Sequence, residues 1–170
     1  MKRAYLFPLC VALLLAACAP PVEERSSPPP GEPSFYRSLA RADAVVDQDA
    51  ARDMISQYRR NNGLGALALD DSLSATAQRL ADEMASRSAV VPQSALKLER
   101  RLETAGVHAK VAVANVSAGY HTLAEAFSGW RQSPPHNARM LFAGARRMGL
   151  ATAFAKNGKY RVYWALVLAD

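Results

Sequence analysis

The closing stretch of the chain constrains its fold most. From Tyr160 to Leu168 the residues alternate, with Tyr160, Val162, Trp164, Leu166 and Leu168 on one side and Arg161, Tyr163 and Val167 on the other. A strand with one wet face alternates apolar with polar, so large side chains on both faces demand cover on both. A second strand-like run, residues 146–155, precedes it, and Asn157-Gly158 lies between them. That dipeptide is the favoured pair for a two-residue hairpin turn, because both positions need positive φ. Residues 110–116, Lys-Val-Ala-Val-Ala-Asn-Val, are β-branched and alternating and predict a further strand. An antiparallel sheet covered by helices on both sides is an α/β protein, a three-layer α/β/α sandwich.

Periodicity supplies the covering helices. Ala51, Met54, Ile55 and Tyr58 recur at helical spacing between Asp47 and about Asn61, and Gly63 offers a stop. Leu73, Ala77, Leu80, Ala81 and Met84 form one stripe over residues 72–87, capped by Asp70, Asp71 or Ser72 and broken by Pro92. A third helix near 94–105 turns Leu98, Leu102 and Ala105 inward and Glu99, Arg100, Arg101 and Glu103 outward. Thr122 with Glu125 three residues on is a capping-box signature. It opens a helix with Leu123, Ala126, Phe127 and Trp130 on its inner face, ended by Pro134-Pro135.

The first residues read as an address. Lys2 and Arg3 precede an apolar stretch from Ala4 to Ala17, too short to be a convincing membrane span, and Leu15-Ala16-Ala17 runs directly into Cys18. This resembles the lipobox of bacterial lipoproteins, in which the cysteine becomes the mature N-terminus and carries acyl chains. The alternative is a plain signal peptide with an incidental cysteine. Under the lipoprotein reading, residues 1–17 are the signal, Cys18 is the lipidation site, and the partner is the membrane that the acylated Cys18 enters. Ala19 in place of an aspartate implies, by the same resemblance, the outer membrane facing the periplasm. Cleavage would also remove Cys10, the other of the two cysteines, so the exported domain would hold together without a disulfide. Residues 18–46 are the lipidated cysteine and a proline-rich tether, whose stretch from Ala19 to Pro33 has an extended reach of up to roughly 45 Å at about 3.1 Å per residue. Its last part, 34–46, has room for a short helix around Phe35 and Leu39. The folded domain is expected over 47–170. The net charge of +6 is spread along the chain without a basic run interleaved with aromatics, so no nucleic-acid partner is expected.

Several motifs fall in a telling order: Asn115-Val-Ser-Ala-Gly119, then Ala126-Phe-Ser-Gly-Trp130, then Ser133-Pro-Pro-His136, then Met140-Leu141, Gly149 and Tyr163-Trp164. Together with a helix ending in Asn-x-x-Gly-Leu64 and the segment Leu67-x-Leu69-Asp70, they resemble the CAP superfamily of cysteine-rich secretory, antigen 5 and pathogenesis-related proteins, in its bacterial SCP-like branch. The resemblance spans about residues 47–168. It implies an α/β/α sandwich with an open cleft, in which two histidines and two glutamates, or fewer, can hold zinc. This chain departs from that pattern. Ala114 stands where the family has glutamate, residues 88–94 contain no histidine, and Pro135 replaces the usual glycine. Only His136 matches the ligand set, so no metal site and no cofactor are expected.

The site candidates follow. His136 reads either as a cleft-lining imidazole, a base or hydrogen-bond donor, or as a structural residue bonding the next turn. Asn115, Ser133 and Trp130 are the other cleft-lining candidates, each with a structural alternative: turn stabilisation, helix capping and core packing. Candidate catalytic groups are His136, Ser133 and Glu125, although no Gly-x-Ser-x-Gly elbow supports a serine nucleophile and Glu125 reads first as a cap. His108 and His121 are expected in exposed loops, and Arg146-Arg147 as a solvated strand start. The expected function is a metal-independent binding or scaffolding module for a lipid, peptidoglycan or protein ligand. The alternative is an envelope hydrolase or peptidase using His136.

Overall fold

A computed structural model describes residues 31–170. Cys18, the signal stretch and most of the proline-rich segment lie outside the described residues. In chain order the elements are α1 (Gln48–Asn61), β1 (Ala68–Leu69), α2 (Asp71–Arg87), α3 (Ala95–Thr104), β2 (Ala112–Ala118), α4 (Leu123–Gln132), α5 (Pro134–Met140), β3 (Arg147–Phe154) and β4 (Val162–Ala169), preceded by a 3-10 turn at Ser34–Tyr36.

The strands form one sheet in the order β1-β3-β4-β2. β1 is parallel to β3, and the other two pairings are antiparallel. α1, α4 and α5 cover one face, and α2 and α3 the other. The chain is thus the expected three-layer α/β/α sandwich. Along β4 the alternation divides the core in two. Val162, Trp164, Leu166 and Leu168 join the α1/α4 side, while Tyr163, Ala165, Val167 and Ala169 join the α2/α3 side.

Helix starts obey their caps. Asp47, Asp70 and Ser94 each accept a backbone N–H of the first turn of α1, α2 and α3. Thr122 and Glu125 close both halves of the capping box at α4. Leu39 and Val46 are buried with the α1/α4 core, and the Leu39 N–H donates to the His121 carbonyl at 2.7 Å. The packed unit therefore begins ahead of Asp47. Gly149 lies where α2 crosses the sheet; a Cβ there would stand 2.1 Å from the Ser74 nitrogen.

Four expectations are corrected. The Asn157-Gly158 pair does not make a two-residue turn: Phe154 pairs with Val162, neither residue takes positive φ, and residues 155–161 form a wider loop. Within it the Gly158 N–H donates to the Ala155 carbonyl at 3.3 Å, and the Ala155 N–H donates to the Arg161 carbonyl at 2.9 Å. Because the strand stops at Val162, Tyr160 escapes the alternation and packs on the α2/α3 side, edge-on to Tyr163 at 6.2 Å. Ala105 is the exposed cap of α3, not part of its inner face. Arg147 is no solvated strand start. It ion-pairs with Asp70 at 2.7 Å and donates to the carbonyls of Asp170 and His108. Burial raises the Asp70 carboxyl, but the Leu73 N–H and the Arg147 guanidinium outweigh it and hold that pKa below the ordinary value.

Candidate functional site at the open edge of the sheet

Pro134-Pro135 ends α4, and the same two prolines then open a new helix. Proline is suited to the first helical turn, where its missing N–H has no intrahelical partner. α5 runs from Pro134 to Met140 and carries His136 in its first turn. The sequence marks Pro134-Pro135 only as a helix end; the structure places His136 just beyond it on a short, pinned helix. Asn115 on β2 donates from Nδ2 to the His136 carbonyl at 3.0 Å. Tyr58 on α1 donates to Asn137 Oδ1 at 2.9 Å.

The strongest clamp is one the sequence reading missed. Arg59 is fully buried and donates to four carbonyls, those of Gly65, Met140, Phe142 and Ala145, at 2.9 to 3.1 Å. Two of these close the end of α5 and its exit, so a cation sits where the helix dipole is negative. Burial, then the nearby charge of Arg146, lowers the Arg59 pKa. A signal was available: Ala51, Ile55 and Arg59 are four apart and share the buried stripe of α1.

Between α5 and the segment after α2 lies a cleft of about 360 Å³. Val90, Pro92 and Gln93 form one wall, His136 and Arg139 the other, and Ala114, Val116, Ser117 and Ala118 of β2 the floor. Ser88, the left-handed cap of α2, starts the Val90 wall. His136 is half-buried, and burial, reinforced by the Arg139 charge, lowers its pKa, which favours a neutral imidazole. Ser117 accepts a bond from Trp130 Nε1 at 3.0 Å and keeps its own hydroxyl proton to donate. Asn115 Oδ1 and Gln93 Oε1 are shielded from solvent without a protein partner among the described residues.

The other candidates disperse. Trp130 is fully buried, edge-on to Trp164 at 6.1 Å, and lies in the core instead of on the cleft wall. Asn115, only 1% exposed, sits beneath the surface and holds α5. Ser133 joins α4 to α5 through its backbone, and its side chain makes no capping bond, contrary to the capping role expected of it. Glu125 is engaged by the N–H groups of His121 and Thr122. His108 and His121 are exposed. Ser117, Gln93 and Arg139 are cleft residues that periodicity alone did not single out.

These side chains do not fit a zinc ion. His136 is the single imidazole of the cleft, Ala114 occupies the floor, and Arg139 brings positive charge beside the ring. Among the described residues no three His, Cys, Asp or Glu side chains converge. Nor does any carboxylate hydrogen-bond to His136 among them, so the geometry holds no oriented general-base pair.

A two-sided sandwich with a short histidine-bearing helix beside an edge cleft defines an SCP-type domain. The chain belongs to the cysteine-rich secretory protein (CAP) family, whose model matches residues 52–168. None of the curated proteins compared with the sequence matches it. Its fold is similar to that of a cysteine-rich secretory protein from Staphylococcus aureus, with a TM-score of 0.58 and 20% identity over 72% of this chain and 37% of that one. An extracellular protein containing an SCP domain from Bacillus anthracis gives 0.59 and 19% over 72% of this chain and 39% of that one. An outer surface protein from Borrelia burgdorferi gives 0.63 and 14%, over 75% of this chain and 97% of that one. The chain thus spans little more than a third of the first two proteins.

Proposed function

We propose that this protein is a bacterial envelope lipoprotein, anchored through acylated Cys18, whose CAP domain binds a ligand in the cleft beside β2 and does not catalyse. The observation that carries this reading is the chemistry of the cleft. Val90, Pro92, Ala114, Val116 and Ala118 give it apolar surface, while Ser117, Gln93, His136 and Arg139 supply a few polar groups and no acid. Ligand sites are commonly apolar with a small number of placed polar groups. A hydrolytic site needs a base oriented by a partner, and His136 lacks one here. The similar extracellular and outer-surface proteins support an exported location. Such a module suits a lipid, a cell-wall fragment or a protein segment.

The test is recovery of the full chain from its native membrane, followed by mass spectrometry of what denaturation releases. A compound present with wild type and depleted with Val90→Trp, which fills the exposed wall, supports cleft binding. Equal recovery from both, or stoichiometric zinc lost in His136→Ala, overturns it.

A further inference from the structure

We propose that the cleft takes an extended, acidic polypeptide segment, which adds to the sheet as a new strand beside β2. This rests on the cleft-binding reading above and names its ligand class.

β2 is an edge strand, since among the described residues the sheet order gives it β4 as its sole neighbour. Which of its backbone groups face outward follows from register. The Asp170 N–H donates to the Val111 carbonyl at 3.3 Å, and the Gly119 N–H to the Val162 carbonyl at 3.0 Å. Between these ends the ladder pairs Ala112 with Ala169 through to Ala118 with Tyr163, without a bulge. Antiparallel ladders alternate hydrogen-bonded and non-hydrogen-bonded pairs. Residues 111 and 119 bond to β4, so Val113, Asn115 and Ser117 do too. Ala112, Ala114, Val116 and Ala118 therefore turn both N–H and C=O away from the sheet. Three of these four form the cleft floor. Among the described residues, no side chain or loop backbone bonds to these outward groups.

Natural edges are blunted by lysine, proline or a bulge. The sequence of β2, Ala-Val-Ala-Asn-Val-Ser-Ala, contains no lysine or proline. Its outward-facing backbone belongs to three alanines and Val116, which lets a second backbone approach. A peptide aligned here would satisfy main-chain donors and acceptors in pairs, the recognition mode of strand addition. Gln93 Oε1, unpartnered on the wall, offers one more acceptor. The edge lies between two walls, so a single strand can enter; a second copy, walled in the same way, cannot bring its own β2 into reach. Charge sets the preference for acid. Arg139 donates only to the Pro135 carbonyl among the described residues and stands beside His136 at the rim.

The probe is an acetylated heptapeptide of alternating valine and threonine with a glutamate at each end. Two partners carry N-methyl groups on alternate amides, one set on each face. The full chain is studied in detergent micelles by amide hydrogen exchange at residue resolution. Without peptide, Ala114, Val116 and Ala118 should exchange at least tenfold faster than Asn115 and Ser117. With peptide, the three fast amides should become protected. One N-methylated peptide should bind at least tenfold more weakly, and the other as the parent does. Equal affinity of both methylated peptides, or binding without protection of the three amides, overturns strand addition. Protection that rises with protein concentration alone, without peptide, assigns the edge to a second copy and also overturns it. Palmitate serves as the second probe. If it perturbs Val90 and His136 while the peptide does not, strand addition fails and the cleft-binding reading stands. If neither probe perturbs the cleft, both fail.

Discussion

Replacing Arg59 with methionine tests the structural logic of the site. The substitution keeps apolar bulk on the buried stripe of α1 and removes the donors. It leaves the buried Met140 carbonyl without a donor, takes one of two donors from the Ala145 carbonyl, which keeps Arg146 Nη1 at 3.1 Å, and weakens the satisfaction of Gly65 and Phe142 in partly buried surroundings. The orphaned Met140 acceptor costs about 1–3 kcal/mol, and the loss of one donor at each of the other three carbonyls adds about 0.5–1.5 kcal/mol apiece, about 2.5–7.5 kcal/mol together. Relief of burying a cation offsets part of that, and the net destabilisation should be about 3 kcal/mol. With a urea m-value of about 2 kcal/mol/M, the unfolding midpoint should fall by about 1.5 M. The assay is urea unfolding of the full chain followed by the fluorescence of Trp130 and Trp164, both fully buried. Arg59→Lys should recover less than half of the loss, because an ammonium cannot reproduce the planar fork that spans these carbonyls. A midpoint within 0.3 M of wild type, taken as about the resolution of such a comparison, would refute the reasoning. It would show that the four bonds merely replace equivalent bonds to water.

The remaining predictions concern the anchor, the imidazole and the helix–sheet contact. Metabolic labelling with a fatty-acid analogue should mark wild type and not Cys18→Ser; equal labelling removes the anchor. Burial and Arg139 lower the His136 pKa, so the unfolded chain takes up that proton first. Stability is then full above the unfolded value of about 6.5 and declines as pH falls from there toward the folded value. Urea midpoints from pH 7 to 5 should fall more for wild type than for His136→Gln, and parallel profiles would contradict this. Gly149→Ala would force a methyl to within 2.1 Å of the Ser74 backbone nitrogen and 2.2 Å of the Leu73 carbonyl carbon. It should cost about 3 kcal/mol, read as a lower urea midpoint, and a neutral effect would mean that α2 can lift from β3 freely.

Much of the architecture is written in short-range pattern. The stripe of α2, the Thr122–Glu125 box and the two-faced run of β4 are set by residues within a few positions of one another, and periodicity and capping act over that range. Ala114 and the histidine-free 88–94 segment are visible as residues, and the structure adds where Ala114 lies, on the cleft floor. The hairpin shows where local signals yield. Asn157-Gly158 favours a tight turn, yet the register set by the two cores joins Phe154 to Val162 and leaves a wider loop. Burial of two whole faces outweighs the preference of one turn, whose worth is a fraction of a side chain's burial.

The sequence by itself determined α1 to α4, β2 to β4, the caps of α2 and α4 and the two-sided cover, because each follows from neighbours along the chain. Only the tertiary structure decided that β2 lies at the edge, that its even-numbered backbone groups face the cleft, and that Arg59 reaches across to hold the helix bearing His136. Strand order and long hydrogen bonds join residues tens of positions apart. No local period encodes such pairings; they are fixed when the two layers close on the sheet.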